Sequence, residues 1–167
     1  MNRTQLNEPS WTQVWIPIGS GLFLVALLVS ALAVPQLRLL HLLQSLIYIA
    51  VVIFARRNSP YAPYALGAGF TIAVAWNTLE FFVAHMMQAG VALFWSFLHT
   101  GLHTGQVQHL ETMMVPVGGI GHLILIVACL WALFQQKTDD KKWRKFLAGG
   151  VLALAYFAAI IAIARPR

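Results

Sequence analysis

Histidine, carboxylate and methionine crowd into one stretch of this chain, from His85 to His122. It opens with His85-Met86-Met87, passes through the repeats Leu98-His99-Thr100-Gly101 and Leu102-His103-Thr104-Gly105, and runs through His109, Glu111, Met113 and Met114 to His122. The stretch holds every histidine but His41 and every methionine but Met1. Imidazole, carboxylate and thioether together form a transition-metal ligand set, and the thioethers favour soft ions such as Cu(I). If the segment around them is helical, His99 and His103 stand one turn apart on one face, where two imidazoles can share an ion. His109 and Glu111 then supply a third imidazole and a carboxylate. His85, Met86 and Met113 flank the loop as further ligands. The expected metal is copper, with zinc or iron as alternatives.

Three more residues carry chemistry from inside apolar runs. Glu80 is a carboxylate within a predicted membrane span, which costs a few kcal/mol and normally means an interior position with a partner or a task. It reads as a ligand, a group orienting an imidazole or a proton relay, or else as a protonated acid bonded to Asn77 or a neighbouring helix. Glu80 and Glu111 are the carboxylates that a reaction at this site would use. His122 follows Gly118-Gly119-Ile120-Gly121, whose small residues leave room for a macrocycle, a quinone head or another helix. Its plain alternative is a histidine bonded to a backbone carbonyl. His41, near the end of another apolar run, is either a second cofactor ligand or a solvated or structural residue. The methionine pairs are also ordinary packing residues at span ends, and Cys129 is a small core residue.

Composition decides what must position these groups. Of 167 residues, 59% are hydrophobic and 10% charged, against roughly a quarter charged in soluble domains. The expectation is an all-α integral membrane protein at the cell membrane, one multi-pass domain over residues 1–167. Apolar runs long enough to span predict five transmembrane helices: Trp15–Val34, Leu39–Ala55, Ala65–Met87, Thr112–Phe134 and Phe146–Ala164. The first run ends in Ala31-Leu32-Ala33, faintly like a signal-peptidase site, but the region before it is a poor basic leader and the span is expected to be retained. The segment Gln88–Gln108 is too short and too polar for a span and predicts an interfacial or re-entrant helix between the third and fourth.

The net charge of +6 lies in short loops and ends, which reports orientation and argues against nucleic-acid binding. With five spans, Arg3, Arg56, Arg57, Lys137, Lys141, Lys142, Arg144 and Lys145 share one side, and Arg38, Arg165 and Arg167 the other. The positive-inside rule places the N-terminus in the cytoplasm and the histidine-rich stretch at the outer face. A single cysteine excludes an intrachain disulfide and a thiolate cluster. No phosphate-cradling glycine loop or nucleophile elbow is present.

The leading expectation is a small membrane protein, embedded in lipid, that binds copper at the outer face for metal handling or for metal-dependent oxidoreductase chemistry. A second is an electron-transfer subunit binding b-type haem or a quinone, with His122 and either His85 or His41 as axial ligands. A third is a structural or assembly subunit of a larger complex, or a homo-oligomer, whose histidines make polar helix contacts.

Overall fold

The computed structural model describes residues 11–56, 59–101, 109–136 and 140–164. They fold into helices alone. α1 spans Trp11–Ala33 and is followed by a 3-10 turn, Pro35–Leu37. α2 spans Arg38–Phe54, and α3 spans Ala62–Thr78, passing directly into a π-helical stretch, Leu79–Val83. α4 is Met86–Thr100, α5 is Leu110–Gln135 and α6 is Lys142–Ile163. Five segments are long and apolar enough to cross a membrane: Val14–Ala33, Pro35–Phe54, Ala62–Val83, Leu110–Gln135 and Lys142–Ile163. These are the five expected spans, shifted by a few residues at their ends.

The third span stops earlier than the apolar run suggests. His85 adopts a left-handed backbone conformation, with φ of 51°, and breaks the helix before Met86 and Met87. Those methionines open α4, which then runs to Thr100 and ends at Gly101, whose φ is 73°. Glycine has no Cβ to oppose that conformation. The π stretch carries Glu80, and such bulges often sit at functional positions.

α1 packs most extensively on α5, and α3 on α6. Both crossings are built from glycines, because lipid gives little hydrophobic drive between helices and close van der Waals contact must supply the attraction. A Cβ on Gly19 would stand 2.7 Å from the Gly121 carbonyl oxygen, and one on Gly121 would stand 2.7 Å from that of Gly19. On the other side, a Cβ on Gly67 would collide with the Phe146 carbonyl and one on Gly149 with the Tyr64 carbonyl. α4 lies against the first half of α5, where Gly90 faces the Thr112 carbonyl and the Pro116 ring. Pro116 has no N–H to offer that carbonyl, so a neighbouring helix covers it instead. Between these contacts lies an apolar core that includes Phe23, Leu66, Ile72, Leu125, Cys129 and Leu133.

Candidate functional site

The polar residues of the bundle interior begin on α2. His41, Gln44 and Tyr48 follow one another at three and four residues, which places them on one helix face, and all three are buried. At the deep end the Tyr48 hydroxyl donates to Nε2 of His122 at 2.7 Å. That leaves Nδ1 of His122 protonated, and it donates to Oδ1 of Asn77 at 3.1 Å. The amide nitrogen of Asn77 points on to the Gly119 carbonyl at 3.5 Å, the outer limit of a hydrogen bond. Tyr48, His122 and Asn77 therefore form one directed chain linking α2, α5 and α3.

His122 is completely buried, with the Phe23 ring stacked on it at 3.8 Å between centroids. Both ring nitrogens are engaged, and each glycine beside the ring has a close neighbour. Phe23 lies against Gly118, Met87 against Gly119, and Gly19 with Leu22 against Gly121. On the side of Gly118 and Gly121 the neighbour is another helix, α1. A haem iron would find no free nitrogen on His122 without breaking the bond to Tyr48 or to Asn77. The oxygen of Asn77 belongs to His122, and the side chain within reach of the Glu80 carboxyl is that of Trp76, one turn earlier.

At the other end of the α2 stripe lies a cavity of about 190 Å³ between α1, α2, the π stretch, α4 and α5. His41, Trp76, Glu80, Met86, Glu111 and Met114 are among the residues that line it. Nε2 of His41 is bonded to the Ser30 hydroxyl at 2.9 Å. Its Nδ1 is buried without a hydrogen-bond partner, and so are Oε2 of Glu80 and Oε2 of Glu111. Gln44, within side-chain reach of both His41 and Tyr48, is likewise left without a well-formed hydrogen bond. An unpaired buried polar atom costs about 1–3 kcal/mol, and three of these atoms, on His41, Glu80 and Glu111, belong to side chains that line this one cavity.

The structure thus gathers part of the sequence-derived site and disperses the rest. His41, Glu80, Glu111 and Met86 come to one cavity, with Met114 beside them. His85 and His99 stand at opposite ends of α4, about 20 Å apart at the rise of an α-helix, and cannot share an ion. Nδ1 of His99 is bonded to the Trp95 carbonyl at 2.9 Å, and its ring lies against the Trp95 indole. His109 is exposed at the start of α5. Met113 is a packing residue, 2% exposed and outside the cavity wall. α4 ends before His103, which lies outside the described residues, so the helical pairing of His99 with His103 is not among the described contacts. Among the described residues, no three His, Cys, Asp or Glu groups are placed to hold one metal ion. The cavity offers instead one imidazole nitrogen and two thioethers, with two carboxylates in the wall.

Sequence reasoning passed over Ser30, Gln44 and Tyr48. A signal existed for two of them, since polar residues at 41, 44 and 48 make a stripe along one face of a span. No protein family, no curated protein and no solved structure matches this chain.

Proposed function

We propose that this chain is a membrane protein that handles copper, holding the ion as Cu(I) in the cavity at the outer end of the bundle. The observation that carries the reading is the unpartnered Nδ1 of His41, which shares a cavity wall with Met86, Met114 and the unpartnered oxygens of Glu80 and Glu111. Thioether sulfur selects a soft ion over zinc, and a soft ion is satisfied by a small number of such donors. His41 and the two methionines are the ligands in this reading. Glu80 and Glu111 balance the ion's charge and orient its surroundings. In this reading the cavity opens to the outer face, where an ion would enter or leave, and the distribution of Lys and Arg supports that orientation.

The test is metal analysis of untagged protein purified without chelator. Near-stoichiometric copper is expected in the natural sequence and in a His99→Ala/His103→Ala variant. It is expected to be lost from a His41→Ala/Met86→Leu/Met114→Leu variant, in which the methionine changes nearly conserve volume and leave the packing intact. Copper that disappears only with His99 and His103 would move the site to the outer loop. A natural protein that takes up no copper would end the proposal. Glu80→Gln is expected to weaken copper affinity by about ten- to a hundredfold, the usual effect of removing a group that orients a ligand. Competition with a Cu(I) chelator of known affinity reads that change, and an unaltered affinity would remove Glu80 from the site.

A further inference from the structure

On the side of the bundle away from the α2 stripe, a second and larger space opens between α3, the π stretch, α4 and α5. It measures about 510 Å³, within the range of about 300–1,000 Å³ typical of small-molecule sites. Its walls are apolar, with Phe81, Phe82, Val91, Ile120 and Leu123 all exposed on the outside of the bundle. Exposed apolar residues at the level of the spans face lipid, so whatever enters this cleft comes from the membrane. Two polar side chains reach it. Thr78 spends its hydroxyl on the Val74 carbonyl at 2.8 Å. Asn77 is different.

The orientation of Asn77 is fixed from behind. His122 donates to its oxygen, and Tyr48 holds His122 in the tautomer that does so. The amide therefore turns its nitrogen away from His122, and its only acceptor among the described residues is the Gly119 carbonyl at 3.5 Å, with Gly119 itself part of the cleft wall. An amide nitrogen carries two protons, so a donor is left for a ligand. An aligned donor in an otherwise apolar, lipid-facing cleft recognises an apolar molecule bearing a carbonyl acceptor. Asn77 lies six residues before Val83, about 9 Å along the helix from the end of a 22-residue span whose length matches a hydrocarbon core of about 30 Å, which sets it below the level of phospholipid esters. The exposed Phe81 and Phe82 rings, 5.3 Å apart, stand in the wall and offer aromatic faces to a flat ring.

We propose that this cleft binds a membrane quinone, with Asn77 donating to a ring carbonyl and the tail lying along Ile120 and Leu123. This site is separate from the copper cavity and stands whether or not copper is bound there.

The probe is a decyl-substituted benzoquinone added to the full chain in lipid nanodiscs, read by quenching of tryptophan fluorescence. Saturable binding is expected. Asn77→Leu is expected to weaken it about tenfold, the worth of one neutral hydrogen bond, while Thr78→Val leaves it unchanged. Ile120→Phe changes a lipid-facing residue and narrows the cleft mouth without adding a fluorophore, so it is expected to weaken binding strongly without disturbing the fold. This holds the test open if Asn77→Leu proves unstable. Decylbenzene, equally apolar but lacking the acceptor, is expected to compete poorly. Non-saturable quenching, binding indifferent to both Asn77→Leu and Ile120→Phe, or equal competition by decylbenzene would each overturn the proposal.

Discussion

Gly149→Val is expected to prevent α6 from docking on α3. The Cβ of any residue at 149 would fall on the Tyr64 carbonyl, and the reciprocal contact of Gly67 with the Phe146 carbonyl leaves no direction in which the helices could slide. Both obstacles are main chain, which cannot change rotamer to make room. The helices would have to move apart along their whole contact, and in lipid no hydrophobic term compensates for the lost packing. Overpacking usually costs about 1–3 kcal/mol, and this site belongs at or above the top of that range. Thermal unfolding in detergent, followed by helical circular dichroism and gel filtration, measures it. Gly21→Val is the control, since a Cβ at Gly21 meets nothing within 4 Å. Equal stability of the two variants would show that α3 and α6 do not approach as described.

The second large effect is expected at His122. His122→Leu strands the buried Tyr48 hydroxyl, at about 1–3 kcal/mol, and removes the donor to the half-buried Asn77 oxygen. It also replaces the ring on which Phe23 stacks. Tyr48→Phe alone leaves His122 Nε2 without its donor and is expected to cost less, because only one partner is lost. In the double variant the hydroxyl and its acceptor vanish together, so the sum of the single effects should exceed the double effect by more than about 0.5 kcal/mol, the limit within which independent sites add. Unfolding free energies of the four proteins give the coupling directly. Additivity would mean that Tyr48 and His122 do not bond to one another in the membrane.

The spans were legible because a membrane helix announces itself by length and apolarity, which are local properties. Pro35, the Arg56-Arg57-Asn58-Ser59-Pro60 stop and the charged loop after Gln136 fixed their ends to within a few residues. The end of the third span was not legible. Nothing in Ala84-His85-Met86 says that a histidine will take a left-handed turn, and the apolar run continues across it. The polar residues were legible as types and not as neighbours. Closeness in sequence suggested that His85, His99 and His109 act together, but a helix of fifteen residues keeps the first two apart. His41 and Glu111 are 70 positions apart and meet in one cavity, because that depends on how α2 and α5 are rotated about their axes. Tyr48 drew no notice since a tyrosine in a span is unremarkable until its hydroxyl is seen to face a buried histidine.

The crossing of α1 with α5 has a consequence in time. Gly19 and Gly121 are about 100 residues apart, and chains are synthesised at about 5–20 residues per second. For roughly 5 to 20 seconds the first helix sits in the membrane before its main partner exists. Through that interval Ser20, fully buried in the finished bundle, and the bare backbone at Gly19 face lipid or the insertion machinery. The cavity and the Tyr48–His122 bond both need α5 as well, so they form late and together, when the nascent chain has already passed Gly121.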